Sequence, residues 1–444
     1  MGDRPGRLRL GAFFNPTGHH VAGWRHARAQ ADAGVNFQHY AEIARTAERG
    51  KFDMLFLADN LSVREASREA LSRSAQYIAN MEPVTLISAL AAVTSRIGVV
   101  ATASTSYNEP FHVARKFASI DHISGGRAGW NLVTSALRAD AWNFSRDEHY
   151  EHGVRYARAA EFAEVVLGLW DSWAEDAFIR DKESGVFLDP DKVRRLDHKG
   201  PWFAVRGPLN VPRSPQGRPV IVQAGGSADM VAVAARFAEV IFCAPLDMQQ
   251  GRDLYATLKG ALAQHGRSAD DQKIMPGLSC IIGDTEKEAR EKQAELDALT
   301  HPEVAREILS TVLSGVDLSG YDFDAPMPQL APPQGGSLGI FKHVMELART
   351  RRLTLGETAR MVAGARGKFV VCGTASQIAD VMQDWFRSYA CDGFNIMPPY
   401  LPGSLEEFVD KVIPELLTRG LFRTEYEGRT LRENLGLRTP VRAA

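Results

Sequence analysis

The sequence predicts an α/β protein built as a closed (β/α)8 barrel, a TIM barrel with insertions, and three observations carry that prediction. Short continuous apolar runs alternate with amphipathic segments along nearly all of the 444 residues, as expected of parallel strands covered on their outer face by helices. Eight such strand–helix pairs are present, which suits a closed barrel better than an open sheet. The polar residues that interrupt the apolar runs collect at strand ends, where a barrel of this kind carries its chemistry.

The elements follow in order. LRLGAFF (8–14) is the first strand, and QHYAEIARTAERG (38–50) has apolar residues at helical spacing, with Gly50 as its stop. FDMLFLAD (52–59) is a buried strand, PVTLISALAAVT (83–94) a helix and IGVVATAST (97–105) a strand. HVARKFASIDHIS (112–124) is a helix halted by Gly125-Gly126, and the stretch 127–135 then runs as the fourth strand. YARAAEFAEVVLGLWDSW (156–173) is a long helix, RPVIVQAG (218–225) the fifth strand, SADMVAVAARFA (227–238) a helix and VIFCAP (240–245) the sixth strand. Helix 253–266, strand 274–283, helices 285–299 and 376–390, strand 394–401 and helix 404–420 complete the alternation. Three stretches stand outside it: 15–37, 174–217 and the Pro- and Gly-rich 300–375. Loops of such length are usually functional. The chain is therefore read as one barrel over residues 1–444, with 300–375 inserted as an active-site lid.

Composition narrows the function. Against 52 Lys and Arg stand 54 Asp and Glu, a net charge of −2, with no basic block to grip nucleic acid. No apolar stretch has signal-peptide or membrane-spanning length, so a cytoplasmic protein without membrane contact is expected. Cys243, Cys280, Cys372 and Cys391 are far apart and read as buried free thiols.

The strand ends present Asn15 and His19-His20, Asp59-Asn60, Ser104-Thr105-Ser106, then Asn131, Thr134 and Ser135, then Gly225-Gly226-Ser227. After the fifth strand, Gly-Gly-Ser at a helix start leaves backbone N–H groups and a hydroxyl beside a positive dipole end, which suits a phosphate. The plainer reading is a Ser N-cap after a tight turn. His149, His152, Arg155 and Tyr156 lie at the start of the next long helix and suit an anion or a ring better than a metal, because no strand end supplies a second ligand set. No metal is expected. There is no G-x-S-x-G elbow, and of the two strand-end carboxylates a glycosidase needs, only Asp59 is evident. A site rich in hydroxyls and amides and poor in acids is one in which a cofactor carries the hard chemistry. The segment 61–80, with Arg64, Arg68 and Arg73, reads either as a carboxylate-binding loop or as a solvated helix.

At this point the residues resemble a known family. GAFF…GWRH, YAEIARTAERGKFDMLFLAD, FHVARKFASIDHISGGRAGWNLVTS, VRGPLNVPRSPQGRPVIVQAG and YLPGSLEEFVDKVIP…RGLFRTEYEG are similar to the bacterial luciferase-like flavin monooxygenases. Within that family they resemble the branch acting on nitrilotriacetate, EDTA and dibenzothiophene sulfone and in streptogramin synthesis. The resemblance implies a two-component enzyme, active as a homodimer or homotetramer, that takes reduced FMN (FMNH2) from a separate NAD(P)H:flavin reductase and activates O2 as a flavin peroxide. It then oxygenates a small organic substrate. By the same resemblance, Asn131 and Ser135 lie near the ring and ribityl chain, followed by His152 and Tyr156. Gly226 and Ser227 hold the phosphate, Asp59 and Ser104 stand at the flavin's face and side, and His19 is the catalytic group at the reactive ring edge. The alternative for His19 is a solvent-facing loop histidine. Sulfone-type members carry a second His where this chain has Ser314-Gly315, and that departure leans towards carbon-oxidising members. A deazaflavin-dependent dehydrogenase on the same barrel and a non-catalytic flavin-binding protein are the alternatives.

Overall fold

The computed structural model describes residues 4–75, 78–332, 338–365 and 368–442. Eight parallel strands form the barrel: β1 (Arg9–Phe14), β2 (Met54–Leu57), β3 (Gly98–Ser104), β4 (Ala128–Val133), β5 (Val220–Ala224), β6 (Val240–Cys243), β7 (Lys273–Ile282) and β8 (Gly393–Ile396). Each pairs with the next in chain order, and β8 closes the ring against β1 through Gly11↔Asn395 and its neighbours. All eight fall where the apolar runs predict them. Burial on both faces, by helices outside and by strand side chains inside, is what makes these runs continuously apolar rather than alternating.

The outer core lies between strands and helices, with Phe117, Trp130, Phe162 and Trp170 among its members. The interior of the barrel is filled by Met54, Val100, Val220, Val222, Val240 and Met275. From below, the short helix Leu431–Leu435 pushes Leu431 and Leu435 into the same cluster as a plug. Leu431 approaches so closely that a Cβ on Gly98 would stand 2.5 Å from its methyl group, so glycine there is a packing requirement. The plug is pinned by two buried arginines: Arg423 pairs with Asp53 and Arg432 with Glu239.

Two features depart from the predicted order. Residues 300–375 are largely helical, with Pro302–Val312, Leu338–Arg351 and Leu355–Ala365 building a small core of their own around Leu309, Leu355 and Ala359. That excursion ends earlier than expected. Phe369–Gly373 is a ninth strand of the main sheet, pairing with β7 from Leu278 onward, just beyond Pro276 where β6 stops. The other departure is a two-residue hairpin, His198–Lys199 against Ala204–Val205, inside the 174–217 excursion. The Pro/Gly-rich tract is only partly visible, since 333–337 lie outside the described residues.

Candidate active site

At the carboxyl ends of the strands a cavity of about 430 Å³ opens, within the range of ordinary small-ligand sites. Its floor is aromatic. Phe13 meets Phe56 edge-on at 4.7 Å and Phe242 at 5.2 Å between ring centroids. The wall above comes from β3 and β4, where alternation places Thr102, Ser104 and Asn131 towards the inside.

Those polar side chains form a ladder. The Asn131 amide donates to Thr102 Oγ1 at 2.7 Å, and the Thr102 hydroxyl donates to the Leu57 carbonyl at 2.8 Å. Ser104 and Ser135 share a hydroxyl–hydroxyl bond of 2.7 Å. Ser135 holds a left-handed φ of 55°, uncommon for a residue with a side chain, and its carbonyl accepts from Arg155. A strained, over-determined residue in a cavity wall is a usual mark of a binding site.

Four buried atoms of the lining have no hydrogen-bond partner among the described residues: the acceptors Asn131 Oδ1 and Gln223 Oε1, and the donors Asn60 Nδ2 and Arg155 Nε. Leaving such groups unmet costs roughly 1–3 kcal/mol each. A heterocycle with alternating carbonyl and N–H edges answers both kinds at once, so the donor set fits a flavin ring. Asn60 and Arg155 belong to groups the sequence singled out at the second strand end and the start of the long helix, whereas Gln223 goes beyond them. Gln223 had a signal, being the lone polar residue in the strand VIVQA.

Asp59 lines the cavity. Burial pushes its carboxyl up from the ordinary 3.8 to about 7, with Glu82 and Asp140 adding to the rise and the Asn60 backbone N–H opposing it. His152 and Tyr156 also line it, one turn apart on the helix His152–Trp170, with ring centroids 4.9 Å apart. His152 Nδ1 lies 2.9 Å from Asp229, which stands in the first turn of the helix Ala228–Phe237.

That helix starts at Ser227, whose hydroxyl accepts from the Met230 N–H at 3.3 Å as an N-cap. Gly225 turns the chain with φ 131°, a conformation closed to other residues without strain. Gly226 and Ser227 are exposed at the cavity's flank beside Ala224. The N-cap reading and the phosphate reading therefore hold together, since capping uses the hydroxyl's lone pair and leaves its proton and the first backbone N–H groups facing out.

His19 sits elsewhere than at the cavity surface. Its ring is buried, its Nε2 lies 2.9 Å from the Phe13 carbonyl oxygen, and it packs edge-on against the Phe13 ring at 4.6 Å. Phe13, which it touches, is part of the cavity lining. His20 turns the other way, with Nε2 3.1 Å from Asp297. Among the described residues no group of three His, Cys, Asp or Glu side chains is placed to hold a metal, and no helix is long and apolar enough to cross a membrane.

A parallel eight-stranded barrel whose mouth offers unmet donors and acceptors, flanked by a helix start, fits a barrel enzyme working through a bound heterocyclic cofactor. The profile of the luciferase-like monooxygenases matches residues 17–391, and the chain belongs to that family. It is 52% identical over 442 residues to N-acetyl-S-(2-succino)cysteine monooxygenase of Bacillus subtilis strain 168, covering 99% of each chain. It is 47% identical over 440 residues to nitrilotriacetate monooxygenase component A of Aminobacter aminovorans, covering 98% of this chain and 97% of that one. Among solved structures, a riboflavin lyase with modified FMN and riboflavin superposes with a TM-score of 0.83 at 31% identity, over 98% of this chain and 97% of the other. The protein is a flavin-dependent monooxygenase of the two-component type.

Proposed function

We propose that the cofactor is reduced FMN delivered by a separate NAD(P)H:flavin reductase in the cytoplasm, and that the protein, as a homodimer or homotetramer, uses it with O2 to oxygenate a small carboxylated compound. The observation that carries this is the set of four partnerless polar atoms around an aromatic-floored cavity, with a helix start at its flank. Bound reduced FMN supplies an electron pair, so that one atom of O2 enters the substrate and the other leaves as water.

The chain's own residues do the rest. Asn131, Gln223 and Asn60 fix the ring's polar edge, Ser104 and Ser135 meet the ribityl hydroxyls, and Gly226 and Ser227 with His152 and Tyr156 hold the phosphate end. Phe13, Phe56 and Phe242 keep water from the reacting face. Asp59, largely protonated below pH 7, presents an O–H to the flavin's side without a like charge against it. His19, buried behind Phe13, holds that ring in place at the reacting edge, and the helices of 300–365 close over the mouth as a lid. The carboxylated substrate class follows the names of the two curated relatives.

The test is oxygen uptake with photoreduced FMN. The protein should consume O2 and form product from nitrilotriacetate or N-acetyl-S-(2-succino)cysteine, and do neither with oxidised FMN alone. Absence of oxygenated product from both compounds with reduced FMN and O2, or substrate turnover under strict anaerobiosis, rejects the reading.

A further inference from the structure

The ninth strand has a consequence for the cavity. Because β6 is only four residues long and stops against Pro276, the strand Phe369–Gly373 takes over along β7 and carries the residue before it, Lys368, to the barrel mouth. Lys368 lines the cavity, with its ammonium 5.4 Å from the centroid of Phe13 and 5.8 Å from that of Phe242. A cation held over an aromatic floor is attracted by the negative faces of the rings.

The distribution of charge points the same way. The cavity is lined by His152 and Arg155 on the arc of β4 and β5, where the helix start lies, and by Arg64 and Lys368 beyond it. The acids that line it are Asp59 and Asp140. Asp140 accepts from the Ser62 hydroxyl at 2.6 Å, and burial drives Asp59 towards its neutral form. The region around Lys368 is therefore net positive, above an apolar floor, away from the phosphate end.

We infer that Lys368, delivered over Phe13 and Phe242 by the ninth strand, is the specificity-determining residue that receives a carboxylate of the substrate. Arg64, across the mouth, takes a second carboxylate when there is one. This rests on the oxygenase reading above, and it says which end of the substrate lies where: anionic groups at the β6–β7 rim, the carbon to be oxidised over the aromatic floor. An ammonium receives a carboxylate as a point charge, without the fixed fork of an arginine. Arginine in its place should therefore keep the preference for acids while imposing a bidentate geometry on the carboxylate.

Equilibrium binding tests this without turnover. Titration calorimetry of (methylthio)succinate, and separately of its dimethyl ester, into the FMN-loaded protein should show the diacid binding at least tenfold more tightly. Lys368→Met, which keeps length and apolar contact, should weaken the diacid by tenfold or more and leave the ester within twofold. Lys368→Arg should recover most of the loss, and FMN affinity should be the same in all three proteins. In steady-state turnover the Met variant should show the effect in KM, with kcat within about twofold. A diacid preference that is absent from the wild type, or that survives Lys368→Met, overturns the inference. Formation of oxygenated product by the wild type with reduced FMN and O2 is measured alongside, so that failure of the oxygenase reading is seen separately.

Discussion

Asp59 is a carboxyl group in a place that disfavours its charge, and that makes it measurable. Its ionisation is pushed from the ordinary 3.8 to about 7, burial first and the charges of Glu82 and Asp140 after it. Below about pH 4 the folded and unfolded forms are both protonated and nothing is lost. Between 4 and 7 the unfolded chain ionises freely and the folded one does not, so stability falls across that window and stays lower above it. Asp59→Asn should thus be nearly neutral near pH 3.5 and stabilise at pH 8, by on the order of 2 kcal/mol once its partial exposure is allowed for. Urea unfolding at the two pH values checks this, and equal effects at both would remove the shifted ionisation. His19 offers a second test. His19→Ala should leave FMN affinity intact and cut product formation ten- to hundredfold, because Phe13 loses its backing and a displacement of about 1 Å near the reacting atoms can cost that much. His19→Gln, which keeps a donor to the Phe13 carbonyl, separates two roles by its pH profile. Recovery with an unchanged profile marks a positioning residue, whereas loss of a limb near neutrality marks a proton carrier. His20→Ala, which releases Asp297 instead, should leave product formation close to normal. The sequence showed the pair of histidines at the end of β1 but not their directions, because the loop 15–23 is aimed by tertiary hydrogen bonds such as His19 N–H to the Pro398 carbonyl.

Elements were legible to the degree that local pattern and final environment agree. The eight barrel strands are buried on both sides, and a continuous apolar run is the direct print of that environment. The strand Phe369–Gly373 was not read, although FVVCG has the composition, because it follows a long polar excursion and pairs at only half-buried positions on the rim. Lys368 was missed with it, since nothing local says that a lysine beside Gly367 will stand over two phenylalanines from distant strands. The helices of 302–365 were read as an open lid because the Pro and Gly cluster at 325–336 dominates the composition and masks the shorter helical periods on either side. The start of the helix Ala228–Phe237 was fully legible, since Gly-Gly-Ser before an apolar helix states both the turn and the cap. It also gives a clean experiment. Aspartate caps helices as well as serine does, so Ser227→Asp should fold with unchanged stability, while its charge opposes the flavin phosphate. FMN affinity should drop at least tenfold by fluorescence titration, and riboflavin, which lacks the phosphate, should bind as before. Equal losses for both ligands would place the phosphate elsewhere.

The whole molecule is held shut from below. Asp53 and Arg423 are buried to within 2% of completeness, and the carboxylate also accepts from the Leu10 N–H at 2.7 Å, so the plug, β1 and β2 meet in one polar knot. Removing one partner of a buried pair strands the other, at a cost of about 3–5 kcal/mol. Arg423→Leu should therefore lower stability by that order in chemical denaturation, and the double variant Asp53→Asn with Arg423→Leu should regain part of it. A double variant no better than the sum of its singles would show that the two charges are not coupled. None of this is visible in the sequence, where 370 residues separate the two members of the pair. That separation also sets an order of events during synthesis. When β1 and β2 leave the ribosome, Asp53 has neither its arginine nor the Leu431 wedge, and β1 has an open edge that only β8 will cover. The nascent chain must carry an exposed strand edge and a solvated carboxylate until residues 393–435 are made, and that segment converts an open sheet into a closed container. The cavity at the opposite end can take its final shape only then, so a ribosome-bound chain lacking residues 393–435 should bind no flavin, however complete its cofactor contacts are.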